Sequence, residues 1–200
     1  MSAGALTFDP EKHEYRLDGR RVPGVTETIG AIAPHREVGD WYIERGAAVH
    51  AAVALALQGQ LDPASVDPRI QGRVDAVMKF LGDTGLACVA QERPMVSKRY
   101  RFAGTMDYLG ETSTGDRILC DWKGSLAPQV EIQMGAYNLL LAESQWKKCD
   151  RAVAVETHDD GTYKARWFPK PHLGLASQTF LAFLTAANWC AANKIKTYAD

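Results

Sequence analysis

Between Tyr100 and Lys123 the chain reads YRFAGTMDYLGETSTGDRILCDWK. Aromatic, β-branched and alternating residues run from Tyr100 to Gly110 and again from Arg117 to Lys123, with turn-forming residues Thr112 to Asp116 between them. This pattern predicts two adjacent strands. Alternate strand residues share a face, so Asp121 and Lys123 project together while Cys120 and Trp122 face the other way. Gly104-Thr105-Met106-Asp107 lies on the neighbouring strand and brings a second carboxylate to the same sheet.

Working outward, Cys88 to Val96 reads as a strand separated from Tyr100 by a turn at Ser97-Lys98. Arg69 to Leu81 has apolar residues at helical spacing and is ended by Gly82 and Gly85. Leu61 to Pro68, with Asp-Pro twice, is a loop, and Asp40 to about Gln58 is a long alanine-rich helix. Glu14 to Leu17, Asp18-Gly19 and Arg20 to Val22 form an N-terminal β-hairpin, followed by a short helix from Val25 to Ala33 that stops at Pro34. Downstream, Gln129 to Ser144 is helical, Arg151 to Thr157 and Thr162 to Phe168 are strands around a polar turn, and His172 to Asn193 is a closing helix. The order predicts an α/β fold, a central mixed sheet flanked by helices. Length and the lack of a linker predict one domain over residues 1–200.

Composition narrows the partners. Lys+Arg 23 against Asp+Glu 24 gives a formal charge of -1, which excludes a protein that coats nucleic acid by bulk attraction. No stretch approaches the roughly 18 apolar residues of a membrane span, so the expectation is a soluble, cytoplasmic protein with no membrane partner. Cys88, Cys120, Cys149 and Cys190 show no C-x-x-C spacing and are expected to be buried free thiols, with no iron-sulfur cluster.

Chemistry-bearing residues are sparse. Two carboxylates beside an ammonium suit Mg²⁺ or Mn²⁺ and phosphodiester hydrolysis, because a divalent ion neutralises the phosphate charge. A lone D-x-K is otherwise a surface ion pair. His50 has Gly46, Val53 and Ala54 one turn away, which fits either a core histidine or an imidazole aimed at a metal. Gln133 and Tyr137 share a helix face and could contact phosphate or base, or simply be solvated. Glu92 is a weaker candidate, for a second metal or for pairing with Lys98 or Arg99.

Taken in order, R-G-A-A-V-H ending at His50, G-T-M-D ending at Asp107, D-W-K at Asp121 to Lys123 and Q-M-G-A-Y at Gln133 to Tyr137 resemble the PD-(D/E)XK nuclease superfamily, in its RecB-like branch. The resemblance covers about residues 45 to 137. It implies a restriction-endonuclease-like core, with the N-terminal hairpin added to it. It also implies metal ligation by His50, Asp107, Asp121 and the main-chain carbonyl of Trp122, with Lys123 acting on the attacking water. Gln133 and Tyr137 would organise the site and contact the DNA backbone. Met106 stands where the superfamily's name has proline, and Asp121 where many relatives have glutamate.

The function so implied is a Mg²⁺- or Mn²⁺-dependent deoxyribonuclease, an exonuclease on single-stranded DNA ends in recombination, repair or bacteriophage genome processing, with a single-strand-binding or recombination protein as a conceivable partner. The alternatives are a structure-specific endonuclease and a catalytically silent DNA- or partner-binding module. Arg45, Lys98, Arg99 and Arg101 are candidate DNA contacts, with Arg16, Arg20, Arg21, Lys147 and Lys148 as further cations. Tyr15, Trp41, Tyr42 and Tyr100 could stack on unpaired bases or pack in the core. DNA is expected to enter a cleft at the sheet edge.

Overall fold

The computed structural model describes residues 5–10, 12–34, 39–146 and 149–198; Lys147 and Lys148 lie outside them. The N-terminal unit is a three-stranded antiparallel sheet of β1 (Leu6–Asp9), β2 (Glu14–Leu17) and β3 (Arg20–Val22). The expected hairpin is its second half, where Asp18 and Gly19 both have positive φ, as a two-residue turn between twisted strands demands. β1 was not legible because four residues beside Pro10 carry too little periodicity. Then come α1 (Val25–Ile32), α2 (Asp40–Leu57) and α3 (Pro68–Thr84). The Asp67 side chain caps α3 by accepting from Arg69 N, and Pro68 occupies the first turn. Gly82 does not end this helix; the chain leaves it at Gly85, whose φ of +63° is left-handed.

The main sheet contains β4 (Ala87–Ser97), β5 (Phe102–Glu111), β6 (Arg117–Lys123), β7 (Arg151–Thr157) and β8 (Tyr163–Pro169), in that spatial order. Its pairs are antiparallel except β6 with β7, which are parallel and joined by α4 (Gln129–Glu143). α5 (Lys170–Ala192) follows β8, two residues earlier than its sequence pattern suggests. The sheet is therefore mixed and flanked by helices, as expected. The turn between β4 and β5 is longer than expected. It occupies Lys98 to Arg101, so Tyr100 belongs to the turn and Ser97 faces Phe102 across the ladder.

Each face of the sheet has its own core. Leu119, Ala152 and Ala154 pack with Met134, Leu140 and Phe180 under α4 and α5, while Ile118, Cys120, Trp122, Val153 and Val155 pack with Val74, Val77 and Phe80 of α3. This is strict alternation along β6 and β7. The cysteine expectation holds for Cys120 and Cys149, but Cys88 is exposed on the outermost strand of the sheet and Cys190 is half-buried near the end of α5; all four are free. Among the described residues no helix is long and apolar enough to cross a membrane.

α4 and α5 cross at Gly135, where a Cβ would overlap the backbone of Ala176 and Ser177, and Ser177 Oγ donates to Gly135 O at 2.8 Å. The close approach of the two helices therefore needs glycine at position 135 of α4. Gly135→Ala is expected to destabilise the protein by about 3 kcal/mol, because backbone cannot yield as a side chain does. Thermal unfolding of the two proteins checks this, and an unchanged midpoint would show that the crossing is loose.

Candidate metal and hydrolytic site

The site forms where two strands part. The ladder between β5 and β6 runs from Glu111↔Arg117 to Tyr108↔Cys120 and then ends, whereas β6 stays paired with β7 through Lys123↔Glu156. Beyond that point Asp107 Oδ2 accepts from Trp122 N at 2.8 Å, so a carboxylate replaces the next backbone acceptor. The gap lies inside the sheet, not at its edge as the sequence suggested, and Asp107 and Asp121 are both buried in it.

α2 brings His50 over this gap. Its Nδ1 lies 3.4 Å from Glu92 Oε1 and 3.5 Å from Asp107 Oδ1, and its Nε2 lies 3.2 Å from the Trp122 carbonyl. One ligand atom each from His50, Glu92 and Asp107 fall within 4.8 Å of one another. Lys123 Nζ sits 2.6 Å from Asp121 Oδ2. That contact lacks hydrogen-bond alignment, and both Asp121 oxygens are buried without accepting a hydrogen bond. A buried carboxylate with free lone pairs costs free energy unless a cation meets it. The donor set of carboxylates, imidazole and a backbone carbonyl fits a hard divalent ion.

Glu92 is therefore a member of the cluster, not a partner of Lys98 or Arg99. Gln91 faces Tyr108 and Arg93 faces Met106, which sets Glu92 opposite Asp107. Its φ of +45° is left-handed, a strained conformation for a residue with a side chain. A turn at Ser97-Lys98 would have set Glu92 opposite Ala103, which is why its role was hidden. The amides of Lys98 and Arg99 instead donate to Glu143.

The motif spacings acquire physical reasons. A Cβ at Gly104 would stand 2.9 Å from Tyr137 Cε1 and 2.9 Å from Val25 Cγ2, so the glycine three residues before Asp107 lets the tyrosine ring lie on β5. Gln133 Nε2 donates to Tyr137 Oη at 3.2 Å, and both residues line the same cleft as His50, Glu92, Asp107 and Lys123. Gly46, one turn before His50, has open space where its Cβ would be. Arg45 borders a smaller cavity of about 60 Å³ together with His50, Lys123 and Arg73. Arg73 went unnoticed in the sequence because its partners are distant in the chain: it is buried, donates to Thr157 O at 2.5 Å and Asp159 Oδ1 at 2.6 Å, and Thr157 Oγ1 donates to Lys123 O at 3.3 Å.

Lys98, Arg99 and Arg101 are not brought to the cluster. Arg101 is six residues from Asp107 along β5, roughly 20 Å at the rise of an extended strand. Tyr42 is exposed beside Arg45 at the start of α2, whereas Tyr15 is 1% exposed and cannot stack on a ligand.

Electrostatics follow from burial. Desolvation raises Asp121 to about 6 despite Lys123, with Asp107 adding to the rise, and burial likewise raises Asp107 against the pull of His50 and Lys123. Burial opposes charge on His50, but Asp107 and Glu92 outweigh it and raise the imidazole to about 9. Lys123 is raised too, since Asp121 and Asp107 overcome its own desolvation.

No family model and no curated protein matches the chain. Solved structures do. A candidate exonuclease from Eubacterium rectale superposes with a TM-score of 0.57 at 7% identity, over 87% of this chain and 82% of that one. The alkaline exonuclease LHK-Exo from Laribacter hongkongensis gives a TM-score of 0.42 at 14% identity, over 86% of this chain and 92% of that one. The chain thus shares the fold of the Eubacterium rectale protein, a mixed five-stranded sheet flanked by helices.

These shifts have a consequence for the metal-free protein. Asp121 has a folded pKa of about 6 against an ordinary 3.8, so its contribution is complete below 3.8 and lost as pH rises through 6. His50, at about 9 against 6.5, contributes fully below 6.5 and loses that through 9. In chelator the unfolding midpoint should therefore fall from pH 5.5 to pH 9, with the Asp121→Asn variant losing less of it up to pH 7. Calorimetry at a series of pH values would show it, and a flat or rising midpoint would contradict the site's electrostatics.

Proposed function

We propose that the protein is a divalent-metal-dependent nuclease that hydrolyses DNA phosphodiesters, acting as an exonuclease on single-stranded ends. The observation that carries this reading is the convergence of His50, Glu92 and Asp107 within 4.8 Å in a gap that also holds the Asp121–Lys123 pair. Buried carboxylates such as Asp107 and Asp121 are costly, and an apolar pair often stabilises a fold as well or better, which favours a role beyond packing. The shared fold with an exonuclease candidate agrees with it.

His50, Glu92, Asp107, Asp121 and the Trp122 carbonyl are the residues that would hold Mg²⁺ or Mn²⁺. When bound, such an ion supplies Lewis-acid neutralisation of the phosphate charge. The chain's own residues do the rest. Lys123, held by Asp121 and anchored at its carbonyl by Thr157, places an ammonium beside the reacting phosphate, where it orients the attacking water and stabilises developing negative charge. Tyr137, fixed by Gln133 and by contact with Gly104, offers a phenol that burial keeps protonated and therefore a donor to a phosphate oxygen. Arg45 adds a cation on the other side of His50.

Oligonucleotides labelled at either terminus, single- and double-stranded, incubated with Mn²⁺, Mg²⁺ or chelator, test the reading. Stepwise shortening of single strands only with metal is expected; cleavage of circular single strands would make it an endonuclease, and binding without product would make it a silent module. Lys123→Ala and Asp121→Ala should each lower the rate about a hundredfold or more with folding retained. Retained cleavage in both would refute the assignment. Glu92→Gln should weaken Mn²⁺ binding in calorimetric titration by at least about tenfold, since a charged ligand is lost.

A further inference from the structure

The cleft that holds the acidic cluster has a second wall that the hydrolytic chemistry does not use. It is a cavity of about 500 Å³ bounded on one side by His50, Glu92, Asp107 and Lys123 and on the other by Phe8, Pro10 and His13 of the N-terminal sheet. Phe8 stacks on Tyr15 with centroids 4.6 Å apart and planes 19° off parallel, and His13 stands edge-on to both rings at 5.5 Å. Tyr15 is locked, with its hydroxyl 2.9 Å from Thr105 Oγ1 on the strand that carries Asp107. The stack is thus registered to the acidic cluster through β5. His13 is exposed and has a φ of +49°, so the turn holds its imidazole at the rim in a conformation few side chains favour.

We propose that Phe8 and His13 form a stacking wall for the unpaired nucleobase next to the phosphate held at the acidic cluster. The inference rests on the nuclease reading for the position of that phosphate. Its occupant is chosen by size and chemistry. A cavity of this volume matches pockets that enclose small organic ligands, and it suits one unpaired nucleotide because a base must leave the duplex stack before such a pocket can enclose it. Every base has a π-face that stacks on an aromatic ring whatever its sequence. The N-terminal sheet thereby restricts the site to DNA whose end is frayed or single-stranded. Tyr15 supports the wall from behind.

Fluorescence titration with Ca²⁺ in place of Mg²⁺ or Mn²⁺, on single-stranded oligonucleotides carrying 2-aminopurine at either end, reads stacking with a hard cation present at the cluster, and a gel of the same samples checks that the strand is intact. Two mild variants remove the wall: Phe8→Leu keeps an apolar cover on Tyr15, and His13→Asn keeps a residue that tolerates positive φ. Wild type should quench the probe, and each variant should bind about tenfold more weakly. Replacing the probe base with an abasic residue should weaken wild type to the level of the variants and leave the variants unchanged. Equal affinity of all three proteins for the intact strand, or an unquenched probe, would overturn the wall. Cleavage with Mn²⁺ run in parallel separates the two ideas. A wild type that cuts while the variants bind like it sinks the wall alone, and one that never cuts sinks the nuclease reading while the binding difference still judges the wall.

Discussion

The structure turns on one local event, the substitution of a carboxylate for a backbone acceptor where β5 and β6 separate. Asp107 takes the Trp122 amide that the ladder would otherwise have paired, which satisfies a buried N–H while the strands diverge. The divergence makes room for a second buried carboxylate, Asp121, and for an imidazole above both. Burial of two carboxylates is unfavourable by itself, so the cationic groups of His50 and Lys123 beside them follow from the same constraint.

The surrounding fold is arranged to keep that gap open. β6 remains fully paired with β7 on its other side, so Asp121 and Lys123 are carried on a rigid strand. Arg73 reaches from α3 to the end of β7, and Thr157 passes the restraint to the Lys123 carbonyl. Gly104 lets Tyr137 lie against β5, and Gly46 leaves space beside His50. Small residues make the room, and buried polar contacts hold its walls.

The N-terminal sheet was legible only in part, and it changes what the cleft can accept. As a bare hairpin it would be an appendage. With β1 added, it brings Phe8 and His13 to the cleft and packs Tyr15 against the strand that bears the site. Tyr15, one of four aromatic residues the sequence offered for stacking or core packing, is buried, and its neighbours in the stack are the ones that meet the cavity. A ring's availability depends on which side of it the chain covers, and pattern alone does not report that.

The order of helices and strands, the mixed sheet and the residues of the four motifs could be read from the chain itself, because period-2 and period-3.6 patterns and breakers such as Pro34 and Gly85 act within a few residues. The partnership of Glu92 with Asp107 could not. It depends on hairpin register, and a turn lengthened to Lys98–Arg101 moves every cross-strand pair without altering the alternation of either strand. Nor could the titration of His50 and Asp121, which burial and neighbours from four separate elements determine together. Local sequence decided what each segment would become; only the packed molecule decided which charges would meet, since desolvation and Coulomb attraction act through space and not along the chain.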